Sequence, residues 1–106
     1  MVLSRLSAMS AGLLLASASA GAGDRELGAY LSAECVTCHQ ISGRETDGVP
    51  RITGWPAEHF VAVMTAYKLK HRDNPIMQTI AGRLADDEIE ALAAYFGAVS
   101  SQSVEK

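Results

Sequence analysis

The chain is poor in most features that announce a catalytic or nucleic-acid-binding role. It has no basic stripe: 9 Lys and Arg stand against 12 Asp and Glu over 106 residues, a formal charge of −3. A phosphate-backbone partner is therefore excluded. It shows no convincing strand alternation and no internal repeat, which leaves a helical domain, and its length allows only one. Its apolar run from Leu6 to Ala18 falls well short of the ~20 residues of a membrane-spanning helix, so stable membrane insertion is not expected. Cysteine is scarce, with only Cys35 and Cys38 present. A disulfide between them would close too short a loop to constrain the chain much. A thioredoxin-like pair belongs in a βαβ pattern that is missing here, and no second Cys-x-x-Cys exists to complete a zinc site.

What is present is specific. Cys35-Val36-Thr37-Cys38-His39 is a c-type haem attachment pentapeptide. On one helical turn, two thiols three residues apart reach the two vinyl groups on one edge of a porphyrin and bond as thioethers. His39 then falls beneath the ring, where an imidazole nitrogen meets iron. The sequence therefore predicts one covalent haem c, bound through Cys35 and Cys38, with His39 as the proximal ligand.

Residues 1–20 read as a secretory signal. Arg5 is the single early charge, Leu13-Leu14-Leu15 lies in the apolar stretch, and Ala18-Ser19-Ala20 gives a small-x-small cleavage site. Ala20-Gly21-Ala22 is an alternative site. The expected domain is thus 21–106, exported to the periplasm. Loss of Arg5 leaves 8 basic against 12 acidic side chains, a formal −4, which favours partners with a basic or apolar face.

Three helical segments are expected. The first starts at Asp24 as N-cap and runs into the Cys35 turn, with Leu27, Tyr30 and Leu31 as its apolar face. Gly28, costly in a helix, suggests close approach of another backbone. Residues 40–54 have loop composition. Pro56 is placed at the first position of a second helix with Phe60, Val63, Met64 and Tyr67 on its inner face, ending at His71-Arg72 before Asn74-Pro75. A loop with Ile76, Met77 and Gly82 leads to a last helix capped by Asp86. Its first turns are acidic, and Ile89, Leu92, Ala93 and Phe96 form its stripe. The tail from Ser100 is polar and expected to fray. So small a chain has a marginal core alone, and its folding is expected to depend on the cofactor.

Four residues compete for the second axial position. Met77, in a loop, is free to bring its thioether over the distal face and is the first choice. Met64, in register with Phe60 and Tyr67, reads as a core methionine. His59 and His71 read as surface residues at the two ends of the second helix. Pro50, eleven residues past His39, either presents its carbonyl to the imidazole N–H or is an ordinary turn proline. Trp55 either packs against the porphyrin or is a core aromatic. Arg51 and Arg72 either pair with propionates or lie solvated.

These residues together resemble the class I cytochrome c plan: the pentapeptide, Pro50-x-Ile52-x-Gly54, Tyr67-Lys68, Arg72, and a methionine before a final Asp-x-Glu-Ile helix. More narrowly, Ala66-Tyr67-Lys68, Ile76-Met77-x-x-Ile80-Ala81, Asp86-Asp87-Glu88-Ile89 and Ala94-Tyr95-Phe96 resemble the cytochrome subunit of flavocytochrome c sulfide dehydrogenase. The resemblance implies an all-α fold of three to four short helices around one haem, with Met77 opposite His39. It also implies a crossing of the first and last helices at Gly28 with Tyr95 or Phe96. The expected function is electron transfer without catalysis, taking single electrons from an FAD-containing partner that oxidises sulfide. The alternative is a freely diffusing monohaem carrier between respiratory or photosynthetic complexes. Three departures are visible: many such subunits carry two haem domains, whereas one pentapeptide stands here, Gln40 replaces the family's common glycine, and Thr79 its frequent arginine.

Overall fold

The computed structural model describes residue 12, residues 23–42, 44–45 and 47–99. The expected signal segment, apart from Gly12, and the expected frayed tail lie outside the described residues. Four helices follow in order: α1 (Arg25–Cys35), α2 (Ala57–Lys68), α3 (Pro75–Gly82) and α4 (Asp86–Ala98). No strand occurs among the described residues. α1 packs on α4, and α2 packs on both α3 and α4.

α1 begins as its sequence dictates. The Asp24 carboxylate accepts from the amides of Glu26 and Leu27 at 2.9 and 3.1 Å, satisfying two of the orphan donors of the first turn. Of the expected packing face, Leu27 and Leu31 are half-buried and Leu31 packs on the core, but Tyr30 does not. Tyr30 is 80% exposed, and Gly28 and Ser32 are the buried positions. The cause is the crossing with α4: a Cβ on Gly28 would lie 2.1 Å from the Ala91 carbonyl oxygen and 2.7 Å from the Tyr95 Cβ. Such an approach admits only small side chains, so the contact stripe is centred on residues 28 and 32, and Tyr30 is turned about 200° away from Gly28.

α2 stops at Lys68, three residues before the expected His71. Lys70 adopts a left-handed φ of 63°, while the Lys70 amide donates to the Tyr67 carbonyl and the His71 amide to the Ala66 carbonyl, at 3.0 and 2.7 Å. These two bonds form a Schellman motif, with lysine at the position glycine usually takes. Pro56 precedes the helix as N-cap and is not its first residue.

The segment expected as a loop around Ile76 and Met77 is helix α3. Asn74-Pro75 ends one helix and starts the next: the Asn74 side chain accepts from the Met77 amide at 3.0 Å, and Pro75, which has no amide hydrogen to leave orphaned, takes the first helical position. The N-cap of α4 is Ala85, one residue before the expected Asp86. Glu88 reaches back to the Ala85 amide at 2.9 Å, and Asp86 is engaged instead by Lys68 at 3.2 Å.

The core lies where α2 meets α4. Phe60 and Phe96 stack with centroids 5.8 Å apart, and Ile52, Met64, Ala81, Ile89, Leu92 and Ala93 complete the cluster. The expected α4 stripe is intact, with Ile89, Leu92, Ala93 and Phe96 all essentially inaccessible. Each large side chain in such a stripe contributes about 1.5–3 kcal/mol of burial.

Candidate haem site

Cys35 closes α1, and the chain continues to turn: the Cys38 and His39 amides both donate to the Cys35 carbonyl, at 3.2 and 2.8 Å. Thr37 Oγ1 fastens this turn from outside by donating to the Glu34 carbonyl at 2.8 Å. The result is one compact turn that carries both sulfurs and the imidazole into one cavity. Neither cysteine is in a disulfide. Burial, with a smaller contribution from the Glu34 carboxylate, pushes the Cys35 thiol up to about 11. It is held as a neutral thiol at ordinary pH, which disfavours the thiolate chemistry of a redox dithiol.

His39 is oriented by a loop carbonyl. Its Nδ1 lies 2.8 Å from the Pro50 oxygen, and a carbonyl only accepts, so Nδ1 carries the proton and Nε2 keeps its lone pair. Of the two readings open for Pro50, the carbonyl acceptor is the one adopted.

The cavity has a volume of about 330 Å³. It is lined by Cys35, Cys38 and His39, by Phe60, Val63, Met64 and Tyr67 of α2 and by Ile76, Met77 and Ile80 of α3. Met77 and Met64 therefore share one chamber with His39, Met64 as a buried wall residue at 5% exposure and Met77 half-buried in the first turn of α3. His59 and His71 are exposed and outside the lining; the His59 ring packs on Trp55 at 4.7 Å. Trp55 packs on the core, meeting Phe60 edge-on at 6.4 Å, and also lines the cavity. Arg72 stands at the cavity with its guanidinium 5.0 Å from the Tyr67 ring centroid. Arg51 is turned to the Thr53 carbonyl at 3.3 Å and is not part of the lining.

The donor set suits a metal that arrives inside a macrocycle. Two thiols at one edge, an imidazole with a free Nε2 and a thioether in an otherwise largely apolar chamber supply tethers and two axial donors. Among the described residues no three His, Cys, Asp or Glu side chains converge to hold a bare ion.

The cytochrome c family model matches residues 26–100. The chain belongs to the cytochrome c family. This c-type cytochrome has the class I fold, carries covalent haem c, and is an electron-transfer protein. It is similar to the thiosulfate dehydrogenase electron acceptor of Stutzerimonas stutzeri, with 39% identity over 57% of this chain and 29% of that protein. It is also similar to cytochrome c-552 of Acidithiobacillus ferridurans, with 35% identity over 78% of this chain and 39% of the other. The cytochrome subunit of sulfide dehydrogenase of Chlorobaculum tepidum is 29% identical over 72% of this chain and 69% of its own length. The chain thus spans well under half the length of the first two relatives. Among solved structures, reduced recombinant cytochrome c4 from Pseudomonas stutzeri matches with a TM-score of 0.66 at 25% identity, over 72% of this chain and 48% of that one. Among the described residues, no helix of this cytochrome is long and apolar enough to cross a membrane.

Several site residues were named from sequence without a role at the site, or, like Glu34 and Arg83, not at all. Asn74, Ile80 and Glu34 line the chamber, and Lys68 and Arg83 brace it from outside. Only Asn74 had a readable signal, since Asn before Pro is a helix-start pattern as well as a break.

Proposed function

We propose that Cys35 and Cys38 are the thioether anchors of haem c, that His39 and Met77 are its axial ligands, and that this cytochrome accepts single electrons from a flavoprotein partner. The 2.8 Å contact between His39 Nδ1 and the Pro50 carbonyl carries the site assignment, because it presents Nε2 to the chamber in the coordinating tautomer. When bound, haem c supplies a one-electron ferric–ferrous couple. Cys35 and Cys38 tether it by one edge, and the Pro50 carbonyl keeps His39 from rotating. The soft, neutral Met77 thioether favours the reduced state and leaves no open position for O2 or peroxide. Residues 1–20 would direct export to the periplasm, and 21–106 would form the monohaem domain.

The partner reading is a cytochrome subunit of a flavocytochrome c sulfide dehydrogenase. It is supported by the Chlorobaculum subunit, whose length this chain comes nearest to spanning among the three relatives. A freely diffusing carrier is the second reading, favoured by the 39% identity to a relative named as an electron acceptor. Untagged purification from the host separates them. The expected product is red, contains one haem by mass and pyridine haemochrome spectrum, begins near Gly21, and co-elutes with an FAD protein at high salt. A lone red protein would overturn the subunit reading and leave the free carrier. A colourless one would overturn the site assignment.

A further inference from the structure

Lys68 is the last residue of α2, yet its side chain does not extend into solvent. Its Nζ donates to the Leu84 carbonyl at 2.6 Å and to the Asp86 carboxylate at 3.2 Å. The side chain is only 27% exposed, whereas that of Asp86 is 91% exposed. The exposed ion pair therefore contributes little, and the short, charge-assisted bond to a backbone carbonyl is the stronger contact. Leu84 belongs to the turn that closes α3: its amide donates to Ala81 at 3.1 Å, and that of Arg83 donates to Ile80 at 3.2 Å. Lys68 thus pins the trailing end of α3 against α2 and places a cation where the dipole of α3 favours one. The leading end is held separately, by Asn74 on the Met77 amide and by Gln78 Nε2 on the Arg72 carbonyl at 2.7 Å. The third link to the trailing end, Arg83 to Glu34, joins two side chains that are each more than half exposed, so it replaces little of what Lys68 does.

We propose that Lys68 is a positioning residue for the sixth ligand: it holds the α3–α4 turn against the end of α2, keeping α3 and the Met77 thioether closed over the chamber. This rests on the assignment of Met77 as an axial ligand. Lys68 is not among the residues that line the chamber; it acts through the backbone at Leu84. Exogenous imidazole can reach ferric iron only in the fraction of molecules whose Met77 has swung away, so its apparent affinity reports that fraction. Loss of the Lys68 bond enlarges the fraction and simultaneously lowers the reduction potential, since thioether ligation favours ferrous iron.

The test uses the mature ferric holoprotein, titrated with imidazole by visible spectroscopy, beside a potentiometric titration. Lys68→Met is expected to bind imidazole roughly tenfold more tightly than wild type, the scale of one charged hydrogen bond to a partly exposed site. Its potential is expected to fall, Lys68→Arg to restore both values, and Asp86→Asn to leave both unchanged. Lys68→Gln, too short to reach the Leu84 carbonyl without moving α3, replaces Lys68→Met if the methionine variant does not mature. Met77→Ala separates the two levels of inference: it is expected to lose the thioether charge-transfer band and to bind imidazole most tightly of all. If Met77→Ala opens the iron but the Lys68 variant matches wild type in affinity and potential, the positioning role is overturned, even where melting temperature drops. If Met77→Ala changes nothing, the ligand assignment fails and the role of Lys68 fails with it.

Discussion

The two sides of the haem chamber are held by different physics. On the His39 side, the cysteine turn continues α1, and α1 is locked onto α4 by a backbone-to-backbone approach at Gly28 and Ala91. The His39 imidazole is itself set by a main-chain carbonyl. On the Met77 side, an eight-residue helix is too short to be stable alone and is fixed by side-chain bonds at its two ends, those of Asn74, Gln78, Lys68 and Arg83. Backbone contacts are all-or-none, because a helix cannot yield at one residue without moving as a body. Side-chain links loosen one at a time. The difference implies that the His39 side unfolds with the whole domain, whereas the Met77 side can open by itself.

The largest expected effect tests the rigid half. Gly28→Ala adds one methyl carbon that would sit 2.1 Å from the Ala91 carbonyl oxygen, so α1 must move off α4. We expect a loss of about 3 kcal/mol or more in global stability of the holoprotein, at the upper end of overpacking costs, read by denaturant titration at the Soret band. Gly28→Val should fail to accumulate. A Gly28→Ala protein as stable as wild type would mean that the crossing has slack, and the contrast between the two halves would collapse.

The flexible half is broken more gently. Asn74→Ala removes the cap on the Met77 amide, and about 1 kcal/mol is expected, typical of a lost N-cap. The distinguishing outcome is where that energy appears. Hydrogen exchange should accelerate about fivefold across residues 75–82, with exchange in α1 and α4 unchanged. Faster exchange spread evenly over all four helices would show that the Met77 side is as cooperative as the rest.

The same division explains what the sequence made legible. Close-range patterns were readable because their cause is local: the pentapeptide, the Asp24 cap and the α4 stripe of Ile89, Leu92, Ala93 and Phe96 each follow from spacing along the chain, whereas the crossing of Gly28 with the last helix came from the family resemblance. The exposed Tyr30 was misplaced because the i, i+3, i+4 rule assumes that every large side chain of the stripe faces the partner; here the close α4 backbone takes the Gly28–Ser32 stripe, leaving Leu31 half-buried at the core and Tyr30 outside. Helix α3 was taken for a loop because Asn74-Pro75 was weighed as a stop and not also as a start. The role of Lys68 was invisible for a different reason. Its partner carbonyl lies sixteen residues away, and nothing in a lysine at a helix end distinguishes a brace from a solvated cation.

The smallest effect sharpens the boundary between the halves. Lys70 holds a left-handed φ of 63°, where a Cβ costs roughly 1 kcal/mol, and it does so to close the Schellman turn that ends α2. Lys70→Gly relieves that strain but makes the unfolded chain more flexible, so the gain is limited to about 0.5 kcal/mol. Because the turn lies between Lys68 and the segment leading to α3, relief there should stabilise α2 without tightening α3. The expected result is a small rise in denaturation midpoint with unchanged imidazole affinity. A midpoint equal to or below wild type would mean that the Lys70 side chain makes a compensating contact. A change in imidazole affinity would mean that this turn, and not Lys68 alone, governs how firmly Met77 is seated.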